Sequence, residues 1–293
     1  MQTINTIHFD ITEFCNYTCE YCFQRTHNVQ KHISDALYDN FFIFLSNRKE
    51  QFNVHLIGGE PFLYPRFFEM AEKIIEMGHK ISATTNFSLP KKILEKFLNI
   101  AKGKISFWEI TIHLTQIKNL DDLYDRLTWF KEQSGLDYSD FQINCVLTEE
   151  NFEEVIALRE ELKRYGFSLT VQRIFDKKDY CEYSQRVEEW LAIEKCIDIP
   201  LNIVRGEGFC NVSGKPCRTG NKFFKIHING KVARCFTWQT EDSYGYLGDM
   251  SKTVEIKVLP DYTPCFSIDN RCRCYFGFKR LGQIDHRERD LLR

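Results

Sequence analysis

Six short β-like runs separated by longer amphipathic stretches fill the first 173 residues and leave few folds open. The runs are TIHFDIT (6–12), NVHLI (53–57), KISATTN (80–86), WEITIHLT (108–115), FQINCVL (141–147) and SLTVQR (168–173). Between them lie ALYDNFFIFLSNR, RFFEMAEKIIEMG, PKKILEKFLNIAKG, LDDLYDRLTWFKEQ and NFEEVIALREELKRYG, with apolar residues at helical spacing. The last of these is expected to open at Asn151 and to end near Gly166. Strands alternating with helices predict an α/β fold with a parallel sheet and crossover helices.

At period two, each strand has one apolar and one polar face. The polar positions are His8, Asp10 and Thr12; His55; Ser82, Thr84 and Asn86; Thr111, His113 and Thr115; Gln142 and Asn144; Thr170 and Gln172. A closed, packed barrel interior is mostly branched and apolar. Repeated polarity therefore predicts a curved sheet around a wet cavity. The alternative is a half-exposed sheet with one solvated face.

After residue 200 the pattern changes. NKFFKIHINGKVARCF reads as a β-hairpin, with Asn229-Gly230 supplying the turn. A boundary near 200 divides the chain into residues 1–200 and 201–293. The formal net charge is -2 and basic residues are scattered, so nucleic acid is not an expected partner. The first residues lack a basic segment followed by an apolar core, and no apolar run approaches a membrane span, so a soluble, cytoplasmic protein is expected.

Twelve cysteines in 293 residues need a chemical reason, because a chain this long does not need staples. Three stand at 15, 19 and 22, and six fall between Cys210 and Cys274. Cys145, Cys181 and Cys196 stand apart and read as ordinary buried thiols. Thiolates at C-x3-C-x2-C converge on one inorganic core within a tight loop, and no fourth cysteine follows nearby. Three ligands leave one iron of a four-iron cluster open for chemistry. A three-ligand zinc site is the structural alternative.

The segment CNYTCEYC, with Tyr21 before the last cysteine, resembles the cluster loop of radical S-adenosylmethionine (SAM) enzymes. That resemblance implies a partial (β/α)6 TIM-like barrel, with Cys15, Cys19 and Cys22 holding a [4Fe-4S] cluster. It also implies reductive cleavage of SAM to a 5′-deoxyadenosyl radical that takes hydrogen from a substrate. Gly58-Gly59-Glu60-Pro61 after the second strand is similar to the family's GGEP motif, which contacts the methionine ammonium of SAM. Thr84, Thr85 and Asn86 stand where relatives bond the ribose and methionine parts, and Asn144 resembles another ribose contact. Arg173, ending the sixth strand, is a further candidate cofactor contact that would pair with a carboxylate; an ordinary surface arginine is the alternative.

Cys217, Gly230 and Cys235 fit C-x12-G-x4-C, and Cys265, Cys272 and Cys274 follow. This resembles the auxiliary-cluster domain of the family's SPASM/twitch branch. The full SPASM pattern has seven cysteines and two clusters, so one auxiliary [4Fe-4S] cluster in a small twitch-like domain fits better. The ligands implied are Cys217, Cys235, Cys272 and Cys274, with Cys265 as an alternative and Cys210 an outside candidate. Structural zinc on a cysteine knuckle is the competing reading.

The expected function is thus a radical SAM oxidoreductase with a peptide or protein substrate, or alternatively a small molecule such as a sugar or aminoglycoside. The few residues before the first strand weigh against an N-terminal peptide-recognition domain. His113 is a candidate substrate contact or proton acceptor, and a flavodoxin or ferredoxin is the expected electron donor. A non-catalytic iron–sulfur protein is the alternative class; it predicts four cysteines per cluster and no SAM pocket.

Overall fold

The computed structural model describes residues 5–22, 31–176, 179–197, 201, 216–235 and 245–264. The first half runs β1 (Asn5–Thr12), α1 (Asp35–Ser46), β2 (Phe52–Gly58), α2 (Phe67–Glu76), β3 (Lys80–Thr85), α3 (Lys91–Ala101), β4 (Ile105–Ile112), α4 (Leu120–Ser134), β5 (Phe141–Leu147), α5 (Phe152–Arg164) and β6 (Leu169–Arg173). The strands β1 to β6 pair in sequence order, each parallel to the next, as the alternation predicts. With helices as crossovers, this is a mixed α/β fold of the partial TIM-barrel type.

The odd positions of β1 show why the helices cover one face. Ile7, Phe9 and Ile11 are fully buried, and Phe9 packs on Phe41 of α1 at 4.7 Å between ring centroids. Ser34 starts α1 by accepting from the Leu37 backbone N–H, and Asn119 does the same for α4 toward Asp122. Trp108 of β4 joins Phe62, Phe67 of α2, Phe97 of α3 and Phe130 of α4 in one aromatic cluster. Each such buried side chain contributes roughly 1.5–3 kcal/mol through apolar area removed from water.

Three local expectations differ. β4 runs Ile105–Ile112, so His113 and Thr115 lie beyond it. His113 precedes a single 3-10 turn, Leu114–Gln116, where the Gln116 N–H bonds the His113 carbonyl. Asn86 likewise leaves β3, because Phe87 adopts φ +55° and turns the chain. Asn151 does precede α5, but its side chain bonds the Thr148 N–H and the Val146 carbonyl rather than the helix.

The second half adds to the same sheet. After the short pair β7 (Phe175–Asp176) and β8 (Asp179–Tyr180) come α6 (Gln185–Glu194), β9 (Pro216–Cys217), β10 (Phe223–Ile226), β11 (Lys231–Ala233), β12 (Tyr246–Asp249) and β13 (Thr263–Pro264). β10 and β11 form the expected hairpin, with Gly230 at φ +87°. β10 also pairs in parallel with β1, giving a nine-stranded sheet ordered β12-β11-β10-β1-β2-β3-β4-β5-β6. No helix among the described residues is long and apolar enough to cross a membrane.

Candidate cluster and cofactor site

The cysteine loop leaves the carboxyl end of β1 and is held there by backbone. The Gly59 N–H donates to the Thr12 carbonyl at 2.8 Å, and the Glu60 N–H to the Phe14 carbonyl at 2.9 Å. A methyl group on Gly58 would stand 2.2 Å from the Thr12 carbonyl oxygen, and one on Gly59 2.3 Å from that of Phe14. Both glycines are therefore required by the approach of the loop itself.

Glu60 fastens the other side. Its carboxylate is fully buried and accepts from the Thr85 hydroxyl at 3.0 Å, the Asn86 N–H at 2.8 Å and the Phe62 N–H at 3.3 Å. Burial pushes its pKa up to about 7, against the pull of those donors. The Asn86 amide then donates to Asn16 Oδ1 at 3.0 Å and toward Cys15 Sγ at 3.7 Å, while the Tyr17 N–H reaches the same sulfur at 3.4 Å. Motifs from the second and third strand ends thus hold the loop on either side of Cys15, the first at Thr12 and Phe14 and the second at Asn16 and the sulfur itself. Pro61 opens the 3-10 turn that carries the chain away.

Tyr21 ties the loop to the far wall. Its hydroxyl bonds His113 Nδ1 at 3.0 Å, and the two rings stack with centroids 5.9 Å apart. Burial drops the His113 pKa to about 4, so the ring is neutral near pH 7 and a weak proton acceptor. The geometry suits it to orienting the loop.

Below the loop, the polar strand faces join into one hydrogen-bonded band. His55 bonds Ser82 through Nδ1 and Thr84 through Nε2, at 2.9 and 2.8 Å. Thr84 donates to Glu109 at 2.9 Å, and the Asn144 amide donates to the other oxygen of Glu109. Because Thr84 gives its only proton to the carboxylate, His55 Nε2 must carry the proton toward Thr84. Glu109 has the same strand parity as Thr111 and His113, so its place on this face was available from the alternation but was not among the positions read from it. Lys225 of β10 pairs with Asp10 of β1, and His227 Nδ1 lies 3.5 Å from the same carboxylate. That cluster depends on a pairing between residues 215 positions apart, for which the sequence gives no sign.

Arg173 finds its carboxylate within the chain. Its guanidinium, with the side chain fully buried, grips both oxygens of Glu188 on α6 and donates to the Cys181 carbonyl at 2.9 Å. Cutting one partner of a buried pair strands the other charge. Glu188→Ala is therefore expected to cost about 3–5 kcal/mol in urea unfolding. A loss below about 1 kcal/mol would contradict this tether.

Three thiols on one strand-end loop have the chemistry of an iron–sulfur donor set. Burial pushes Cys19 up to about 11, and Cys15 is also raised by burial, so binding a cluster must release protons. Among the described residues no three His, Cys, Asp or Glu side chains gather as closely as a single ion requires. A multi-iron core asks less, since each thiolate binds its own iron. Cys217 and Cys235 lie in the second half, at β9 and just after β11. Cys210, Cys265, Cys272 and Cys274 lie outside the described residues.

A parallel, open α/β barrel with a three-cysteine loop at the end of its first strand defines a class of iron–sulfur cluster protein. The family model "Radical SAM superfamily" matches residues 9–175, and the chain belongs to that superfamily. Members use a [4Fe-4S] cluster and SAM. The chain is 28% identical over 195 residues to an S-adenosylmethionine-dependent nucleotide dehydratase of Fibrobacter sp., covering 59% of this chain and 57% of that one. It is 24% identical over 179 residues to the tungsten-containing aldehyde ferredoxin oxidoreductase cofactor-modifying protein of Pyrococcus furiosus, covering 56% and 49%. The chain thus spans about half the length of these curated relatives. In fold it is similar to SuiB of Streptococcus suis bound to the precursor peptide SuiA. The TM-score is 0.58 at 16% identity, over 86% of this chain and 64% of that one.

Proposed function

We propose that this chain is a radical SAM oxidoreductase that takes a hydrogen atom from a substrate held against the polar face of the sheet. The observation that carries this reading is that two separate strand ends hold the start of the cysteine loop: Gly59 and Glu60 bond the Thr12 and Phe14 carbonyls, and Asn86, bonded to Glu60, reaches the Cys15 sulfur. Cys15, Cys19 and Cys22 would hold the SAM-binding cluster, with Gly58–Pro61, Thr84, Thr85, Asn86 and Asn144 lining the cofactor side. When bound, cluster and SAM supply one-electron cleavage to methionine and a 5′-deoxyadenosyl radical, the electron coming from a flavodoxin- or ferredoxin-type donor. The chain's own part is to fix the loop, order the strand-end donors and exclude water.

The SPASM/twitch resemblance supports one auxiliary [4Fe-4S] cluster on Cys217, Cys235, Cys272 and Cys274, with Cys265 as the alternative, in a C-terminal unit over 201–293. Relatives with such a domain act on peptides, proteins or small molecules, and a peptide or protein is the substrate proposed first. A second reading, a small polar molecule, is favoured by the nucleotide dehydratase relative and by the hydrogen-bonded band on the sheet. Reduced enzyme given SAM should form 5′-deoxyadenosine faster when its true substrate is present. A panel of nucleotides, sugars and cysteine- or serine-containing peptides decides between the readings. No response to any peptide, with a response to a nucleotide or sugar, would overturn the first.

The cluster number has its own check. Cys217→Ala with Cys235→Ala is expected to lower iron from about eight to about four per chain. Unchanged iron, or stoichiometric zinc in the wild type, removes the auxiliary cluster.

A further inference from the structure

Arg234 is one of the most deeply buried charged side chains, 1% exposed, and it immediately precedes Cys235. Among its partners are three neutral oxygens from two other segments. Nε donates to the Thr219 hydroxyl at 3.2 Å, one terminal nitrogen to the Pro264 carbonyl at 2.9 Å and the other to the Thr263 carbonyl at 3.0 Å. Thr263 is the strand partner of Cys217, and the Thr219 hydroxyl lies 3.1 Å from Cys217 Sγ. One guanidinium therefore fastens together the segments at 217–219, 234–235 and 263–264.

The direction of these bonds carries the argument. A guanidinium only donates, so Thr219 must accept from Arg234. A sulfur that ligates a cluster is a thiolate with no proton to give, so the Thr219 hydroxyl donates to it. The sequence of donors is Arg234 Nε–H to Thr219 Oγ, and Thr219 O–H to Cys217 Sγ. A hydrogen bond to a cluster sulfur, backed by a buried positive charge one hydroxyl away, stabilises the more negative state of the cluster. Hydrogen bonds to sulfur are among the levers that set iron–sulfur potentials, and the low-dielectric surroundings strengthen this one.

We propose that Arg234 and Thr219 are positioning residues that set the reduction potential of the auxiliary cluster through the sulfur of Cys217. This rests on the reading of Cys217 and Cys235 as ligands of an auxiliary cluster. The balance is a one-electron couple: the oxidised cluster gains one electron from an added reductant, and no bond to sulfur is made or broken.

The test uses the full chain, reconstituted anaerobically, as wild type, Thr219→Val and Thr219→Ser. Iron per chain is measured first, then the midpoint of each cluster by a redox titration followed by electron paramagnetic resonance. Thr219→Val is expected to keep its iron and the midpoint of the SAM-binding cluster. Its second midpoint should fall by roughly a tenfold change in the one-electron equilibrium, about 59 mV. Thr219→Ser, which keeps the hydroxyl, should retain the wild-type value. Loss of about four irons from Thr219→Val, with Thr219→Ser fully loaded, would make the hydroxyl a requirement for loading the cluster and overturn the role in setting its potential. Equal second midpoints in all three overturn it while leaving the auxiliary cluster intact. A wild type with only about four irons overturns the auxiliary cluster and this proposal together.

Discussion

Gly59→Ala is expected to lower SAM cleavage by at least about a hundredfold, although the added group is one methyl and the residue is not a cluster ligand. The new carbon would stand 2.3 Å from the Phe14 carbonyl oxygen, well inside contact distance, and that oxygen belongs to backbone, which cannot rotate aside as a side chain could. Relief requires the strand end or the loop to move by about 1 Å, and a misplacement of that size near reacting groups costs on the order of 10²-fold. Phe14 directly precedes Cys15, so the movement is passed to the first sulfur. Overpacking of this kind also costs about 1–3 kcal/mol of stability. Measuring 5′-deoxyadenosine formation and iron content in the variant separates a misplaced cluster from a lost one. Wild-type turnover in Gly59→Ala would contradict the close approach.

The second large effect is a pH dependence centred on Glu60. Burial raises its pKa from 4.5 in the unfolded chain to about 7 in the folded one. Between those values the folded state holds a proton that the unfolded state has lost. The contribution to stability is therefore complete below about 4.5 and is lost as pH rises through about 7, a span of about 3 kcal/mol. Asp10 acts in the opposite sense. Burial would raise its pKa, but Lys225 and His227 outweigh burial and lower it, so its contribution is lost only in acid. Unfolding the metal-free chain in urea at pH 5 and pH 8 should show wild type losing about 2–3 kcal/mol relative to Glu60→Gln as pH rises. Parallel pH profiles for the two proteins would contradict the buried carboxyl.

Much of this architecture was legible because its causes are local. The six strands follow from alternation, and the helices from apolar spacing, so β2, β3, β5 and β6 fall within a residue or two of their expected limits. The Asn229-Gly230 turn follows from backbone chemistry at a single glycine. His113 was misplaced onto β4 because the alternation of WEITIHLT continues past Ile112, while the backbone turns there into a 3-10 bend.

What was hidden depends on contacts distant in sequence. Nothing in NKFFKIHING shows that its strand pairs with β1, and the Asp10–Lys225 pair exists only because it does. In sequence Arg173 reads as a cofactor contact or a surface arginine; it is buried and grips Glu188, fifteen residues on, which no local pattern shows. Gly58 and Gly59 stood out only as part of the GGEP-like motif. The structure shows first that they make room for the cysteine loop. Arg234 carried no signal at all, because a lone arginine beside a cysteine has no pattern until Thr219, Thr263 and Pro264 are seen around it.

The most direct test is SAM cleavage by the reconstituted chain. After anaerobic loading with iron and sulfide and reduction with dithionite, incubation with SAM should yield 5′-deoxyadenosine and methionine. The Cys15→Ala, Cys19→Ala, Cys22→Ala triple variant should yield neither while keeping its auxiliary iron. Absence of 5′-deoxyadenosine from the fully loaded, reduced wild type, or equal amounts from the triple variant, would contradict the account.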